Sequence, residues 1–116
     1  MNKLIVLALL ALASTANAAD RSVAERGRKN YVEFGCVKCH GIAGQGSVSG
    51  LKLAPDILPA DAIITFLRGT TGPMPRYGAE IISDAQIIEI HAYLESRPKP
   101  ASPDSIAALK DIRGKR

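Results

Sequence analysis

The sequence has no tryptophan and few aromatic residues of any kind, with three tyrosines and two phenylalanines in 116 residues. Large aromatic side chains ordinarily bury much of the apolar area in a small core. A chain with so few of them needs another bulky apolar body to complete its interior.

Long hydrophobic runs are also absent, since the longest apolar stretch is the ten residues LIVLALLALA at positions 4–13. A membrane-spanning helix needs roughly 20 apolar residues. The run follows Lys3 and precedes the small-residue pattern Ala16-Asn17-Ala18, which is typical of a signal peptide. We therefore expect residues 1–18 to be a cleaved signal peptide, and the remaining chain to be exported to the periplasm without stable membrane insertion.

The chain carries little excess charge. Without residues 1–18 it has 14 Lys and Arg against 11 Asp and Glu, a formal charge of +3. No dense basic run with interleaved aromatics is present, which argues against a nucleic-acid partner. The 98 residues after Ala18 suffice for one domain, expected over 19–97, followed by a proline-rich linker and a short docked helix or tail over 98–116.

Helix signals are present, whereas no alternating run indicates a strand. The capping-box pattern Ser22-Val23-Ala24-Glu25 predicts a helix from about Val23 to Gly35. A second helix is expected from Pro59 to Gly69, and a third from the capping box at 83–86 to the prolines after Arg97. The glycine-rich stretch 41–50 is expected to be a loop. In the tail, Ile106, Leu109 and Ile112 predict a short amphipathic helix after an N-cap at Asp104 or Ser105.

The chain has only two cysteines, Cys36 and Cys39, and His40 follows the second directly. Two cysteines in an exported protein suggest a disulfide, but Cys-x-x-Cys-His is the signature of covalent haem attachment. In that arrangement two thiols meet the two vinyl groups of one porphyrin, and the histidine reaches the iron. Half a zinc site and a redox dithiol are the competing interpretations. Zinc would need two further ligands, and His91 is the only other histidine; a thioredoxin-like site would need a βαβ pattern.

A sixth iron ligand is predicted at Met74, the only methionine besides Met1. It lies between Pro73 and Pro75, which fix φ on both sides and hold it in a stiff loop. The alternatives are a methionine that fills a gap in the core and ligation by His91.

Three further residues are expected in the haem environment. The second ring nitrogen of His40 needs an acceptor, and the carbonyl of Pro55 is the candidate. Arg68 pairs either with a haem propionate or, as a cation, with the C-terminal end of its helix. For Tyr77 we expect one of three roles: its ring covers the haem edge, its hydroxyl donates to a propionate, or the side chain only packs within the protein.

From about Val23 to Arg97 the chain resembles the class I c-type cytochromes. The residues that carry the resemblance are Gly27 and Tyr31 in the first helix, Cys36, Cys39 and His40 in the attachment motif, and residues 72–77 in the sixth-ligand loop. In that family the glycine admits an aromatic residue of the last helix, for which Tyr93 or Leu94 would be the partner. The chain departs from the family in its short interval between His40 and Met74 and in having Ala54-Pro55 where Gly-Pro is common.

The resemblance implies an all-α fold of three to five short helices around one covalently bound haem c with its iron. It further implies an electron carrier without catalytic residues, acting with an exported redox partner such as a periplasmic dehydrogenase or a terminal reductase or oxidase. A diffusing monomer and a fixed subunit of a hetero-complex both remain open. The alternative is a haem-based sensor of small gases in which Met74 dissociates, motivated by the short interval before Met74.

Overall fold

Helices make up the regular structure of residues 3–114, the part of the chain that this computed structural model describes; side chains are described for 18–112 and 114. The elements are α1 (Lys3–Glu33), α2 (Cys36–His40), α3 (Ala60–Gly69), α4 (Asp84–Glu95), a 3-10 helix (Pro103–Ser105) and α5 (Ala107–Arg113). Within the described range, β-pairing is limited to one isolated bridge between Ser47 and Gly50. The predicted all-α class is confirmed.

The first helix begins earlier than predicted. We expected a start at Val23, but α1 is continuous from Lys3, and the Ser22 hydroxyl donates to the Ala19 carbonyl at 2.7 Å instead of capping a helix. The preceding residues are rich in alanine and leucine, which favour helix and extend it upstream. The predicted signal peptide has most of its side chains outside the described residues, and its cleavage after Ala18 stays a prediction. Among the described helices, none combines the length and the apolar character needed to cross a bilayer.

The ends of the predicted helices agree well with the structure. Helix α1 stops before Gly35, which has a φ of 79°, a left-handed conformation that glycine adopts without strain. Helix α3 follows Pro59 as expected. Helix α4 begins with a complete capping box, in which Ser83 and Gln86 each satisfy a backbone N–H of the other.

Helices α1 and α4 cross in direct backbone contact at Gly27. A Cβ atom at this position would lie 1.8 Å from the carbonyl oxygen of Glu89, so only glycine permits the approach. The crossing is reinforced by Arg26 and Asn30, which donate to the two carboxylate oxygens of Glu89 at 2.6 and 2.8 Å. The family resemblance led us to expect Tyr93 or Leu94 at Gly27. The partner is the main chain of Glu89 instead, because the residues of α4 that face Gly27 lie one turn earlier.

The core follows from this crossing. One turn beyond Gly27, the rings of Tyr31 and Tyr93 pack at 5.5 Å with a 52° tilt. The buried apolar side chains are Tyr31, Ala54, Leu67, Ile82, Ile87, Ile90, Tyr93 and Leu94. Half-buried apolar residues from α2, α3 and the loops pack against them, and Cys36, Met74 and Tyr77 belong to this margin.

The C-terminal tail forms a helix but does not dock. Helix α5 begins after Ile106, not after Asp104 or Ser105, and among the described elements it packs only with the 3-10 helix before it. Ile106, Leu109 and Ile112 remain 40 %, 43 % and 58 % exposed. One apolar side chain before a seven-residue helix and two on it bury too little area to offset the ordering of a linker. The end of the tail, at residues 115–116, lies outside the described range.

We predict that Gly27→Ala lowers the free energy of unfolding by about 1–3 kcal/mol, because the new methyl group forces α1 and α4 apart. The measurement is denaturant unfolding of the haem-loaded protein. Gly69→Ala is the matched control, since a Cβ there meets nothing within 4 Å. The control should be neutral or stabilising by up to about 1 kcal/mol. Equal stability of the two variants would contradict the close crossing.

Candidate functional site

Helix α2 carries the cysteines and His40 on little more than one turn. It is bracketed by Gly35 and Gly41, whose φ values of 79° and 75° allow a sharp turn at each end. The two thiols are free, with Cys36 half-buried and Cys39 exposed. The disulfide that two cysteines in an exported chain suggest is therefore not formed.

The environment of the thiols favours neither a redox dithiol nor half a zinc site. Burial raises the pKa of the Cys36 thiol, against a smaller lowering effect of a backbone hydrogen bond. Redox dithiols of the Cys-x-x-Cys type need the opposite shift, since the thiolate is the reactive species. A structural zinc ion needs four ligands, and the described residues contain no cluster of three or more His, Cys, Asp or Glu side chains.

His40 is buried, with 8 % exposure, and its ring orientation is fixed by one hydrogen bond. Its Nδ1 lies 2.7 Å from the carbonyl oxygen of Leu51. A carbonyl oxygen only accepts, so Nδ1 carries the proton and Nε2 of the neutral ring keeps its lone pair. This is the tautomer that a metal-ligating histidine requires.

The acceptor is Leu51 and not Pro55, which corrects our prediction. The Pro55 carbonyl accepts from the backbone N–H of Ile57 at 3.0 Å. Leu51 reaches His40 because the loop 41–50 folds back onto α2. In that loop the Gly46 N–H donates to the His40 carbonyl at 2.8 Å, and the Ser47 hydroxyl donates to the Cys39 carbonyl at 2.6 Å.

Met74 lies in an irregular loop between α3 and α4, as predicted. Its side chain is half-buried and packs at the margin of the core, to which Cys36 also belongs. Of the four residues expected to hold haem, Cys36 and Met74 thus both pack against the core.

Arg68 is a cation in the last turn of α3, which is one of the two roles that we expected. Its guanidinium donates to the carbonyls of Tyr77 at 2.8 Å and Ile82 at 2.9 Å, and pairs with the carboxylate of Asp84. The side chain ties the end of α3 to the loop that leads into α4. These contacts add to its position at the helix end, and a pair with a haem propionate stays a prediction.

The Tyr77 hydroxyl is engaged within the protein. It donates its single proton to the carbonyl of Phe34 at 2.9 Å and therefore has none left to donate to a propionate. The ring packs at the margin of the core, in keeping with the packing alternative.

Two tyrosine hydroxyls form hydrogen bonds that were not predicted. The hydroxyl of Tyr31 donates to the Gly41 carbonyl at 2.8 Å, and that of Tyr93 donates to the Ile42 carbonyl at 2.5 Å. Both hold the chain directly after His40. Their helical spacing indicated burial, but a backbone carbonyl as partner leaves no mark in a sequence.

His91, the competing ligand, lies on α4 with its Nδ1 3.9 Å from the Glu95 carboxylate. Within the described residues it belongs to no metal-ligating cluster.

A family model described as cytochrome c oxidase, cbb3-type, subunit III matches residues 22–94, more than half of the chain. The chain belongs to this family. The resemblance to class I c-type cytochromes is thereby confirmed, and with it a covalently bound haem c with iron and a role in haem-based electron transfer. Comparisons with curated proteins and with solved structures found no significant match.

The residues of the site fit such a group. Two free thiols lie on one short helix, an imidazole nitrogen has an available lone pair, and a thioether lies in a stiff loop at the same apolar margin. Imidazole and thioether are the axial ligands of high-potential c-type haems.

The buried tyrosines generate a prediction about alkaline stability. Burial is the main cause that raises the pKa of Tyr31 and that of Tyr77, and the nearby thiols add to it. The contribution of the two neutral tyrosines to stability is complete below pH 10, about the pKa of tyrosine in the unfolded chain. It is lost as the pH rises through their higher pKa values in the folded protein. We expect the Tm of the haem-loaded protein to fall between about pH 9 and 11, and to fall less in Tyr31→Phe. Burial persists when the thiols become thioethers, so haem attachment should not abolish the effect. Equal falls in the two proteins would contradict the assignment.

Proposed function

We propose that one haem is attached through thioethers at Cys36 and Cys39 and ligated by His40 Nε2 and Met74 Sδ. The protein then carries single electrons between exported redox partners. The observation that carries this proposal is the bond from the buried His40 to the Leu51 carbonyl, since it leaves Nε2 as the one ring nitrogen available for iron.

The protein environment suits electron transfer better than catalysis. When bound, the haem iron supplies a one-electron couple. His40 and Met74 together leave no open coordination position for a substrate, and a thioether ligand favours the ferrous state and raises the potential. The second nitrogen of His40 is already bonded, so the ring need not reorient when the charge on the site changes.

The cellular setting is part of the proposal. A signal peptide over residues 1–18 and a periplasmic location are supported by the pattern of Lys3, the apolar run and Ala18. The partner is a periplasmic dehydrogenase or a terminal reductase or oxidase. The description of the matched family names an oxidase subunit, which supports a terminal oxidase.

A second candidate function, a sensor of small gases, is favoured by one observation. No backbone hydrogen bond joins residues 71–76 to any other part of the chain that the structure describes. A ligand on such a loop dissociates more readily than His40, and its departure would open a coordination position.

Optical spectra of the protein matured in a haem-attaching host distinguish these functions. For the electron carrier we expect low-spin spectra, a far-red sulfur-to-iron band in the oxidised form and no response of the reduced form to CO. Met74→Ala should lose the far-red band and bind CO. His91→Ala is the matched control and should behave as the wild type. Prompt CO binding by the wild type would favour the sensor, and loss of the band in His91→Ala would overturn ligation by Met74.

The distribution of charge supports a salt-sensitive encounter with the partner. Residues 19–97 contain nine basic and nine acidic residues, whereas 98–116 contain five basic and two acidic ones. The excess positive charge thus lies in the tail, on a segment that does not dock on the body.

We predict that the haem-loaded protein retains its partner at low salt and releases it at about 0.5 M salt, where charges are screened beyond a few ångströms. Deletion of residues 98–116 should weaken retention at low salt. The measurement is co-purification from the source membranes and periplasm. Retention of the partner through the high-salt wash would identify a fixed subunit instead of a mobile carrier.

A further inference from the structure

The backbone of the loop that contains Met74 is hydrogen-bonded only at its two ends, at Thr70 and Tyr77. At the first end the Thr70 N–H donates to the Phe66 carbonyl at 2.8 Å. Between them, residues 71–76 form no hydrogen bond with any described residue. The position of Met74 therefore depends on these two anchors, on the packing of its side chain against the core and on the stiffness that Pro73 and Pro75 impose.

The second anchor is Tyr77, and it makes three hydrogen bonds. Its N–H donates to the Leu67 carbonyl at 3.0 Å, and its own carbonyl accepts from Arg68 at 2.8 Å. Both bonds tie it to α3. The third bond, from its hydroxyl to the Phe34 carbonyl at 2.9 Å, joins it to a residue outside α3.

That third bond joins the two halves of the proposed haem site. Phe34 precedes Cys36 by two residues, at the entrance to α2, and Tyr77 follows Met74 by three. Three residues span at most about 11 Å of chain. A single hydroxyl thus connects the sixth-ligand loop to the segment that carries the thiols and His40.

We infer that Tyr77 is a positioning residue for the sixth ligand: its hydroxyl bond to Phe34 holds Met74 at the distance from α2 that ligation of the iron requires. This inference rests on the proposed ligation by Met74. It assigns to Tyr77 a role different from the haem-edge and propionate roles that the sequence suggested.

The other two tyrosine hydroxyls provide matched controls. Tyr31 and Tyr93 also donate to carbonyls beside α2, at Gly41 and Ile42, but they come from α1 and α4 and do not belong to the Met74 loop. Removal of any of the three hydroxyls deletes one hydrogen bond to the same segment. Of the three, only removal of the Tyr77 hydroxyl breaks the bond between the Met74 loop and the segment before α2.

The test is imidazole binding to the oxidised, haem-loaded protein, followed by the loss of the far-red band as imidazole displaces Met74. Tyr77→Phe removes one oxygen atom and keeps the ring. We expect it to raise the affinity for imidazole roughly three- to tenfold, as expected for the loss of one hydrogen bond. Tyr31→Phe and Tyr93→Phe should stay within about twofold of the wild type, although thermal unfolding should show that they too are destabilised.

Arg68→Lys is a second variant that loosens the same anchor without changing Tyr77, and its affinity for imidazole should also rise. Equal affinities in all three tyrosine variants, or an unchanged affinity in Tyr77→Phe, would overturn the positioning role. A wild type without a far-red band would instead overturn ligation by Met74, and this inference with it.

Discussion

The backbone contact between α1 and α4 at Gly27 is the constraint on which the rest of the structure depends. It sets two helices distant in sequence side by side, with the carboxylate of Glu89 accepting from Arg26 and Asn30 on either side of the glycine in α1. One turn further along, the same crossing brings Tyr31 against Tyr93. Their hydroxyls then reach the carbonyls that directly follow His40. The position of the haem-attachment segment thus depends on a helix crossing that contains none of the proposed haem ligands.

The few aromatic residues of the chain are used mainly to position the haem-attachment segment. All three tyrosines place their hydroxyls on carbonyls beside α2, at Phe34, Gly41 and Ile42. Phe34 is only half-buried, and Phe66 is 53 % exposed. The three tyrosine hydroxyls therefore orient the attachment segment, and only the rings of Tyr31 and Tyr93 are fully part of the core. The apolar volume that they do not provide is the volume that a covalently bound porphyrin supplies.

Local signals in the sequence predicted most of the helix ends and the chemistry of the site. The capping box at Ser83, the left-handed glycine at Gly35 and Pro59 act through neighbours one to three residues away, so their effect is readable without a fold. The start of α1 was mispredicted because Ser22 has a capping pattern inside a stretch that favours helix. The acceptor of His40, the partner of the Tyr77 hydroxyl and two of the three partners of Arg68 could not be predicted, since they are backbone carbonyls. Every residue has such a carbonyl, and only the path of the loops decides which one lies within reach.

The two sides of the proposed iron site differ in how they are held, and this difference bears on function. On the His40 side, a buried ring has a fixed hydrogen bond, and the segment around it is bonded by Gly46, Ser47 and two tyrosine hydroxyls. On the Met74 side, a stiff loop runs from Thr70 to Tyr77, and the backbone of residues 71–76 forms no hydrogen bond with the described part of the chain. Any opening of the coordination sphere should therefore begin at the sulfur ligand. An electron carrier and a gas sensor can share these ligands, and the free energy that separates the closed from the open loop decides between them. In this chain that free energy depends on the anchor at Tyr77 and on the two prolines that stiffen the loop.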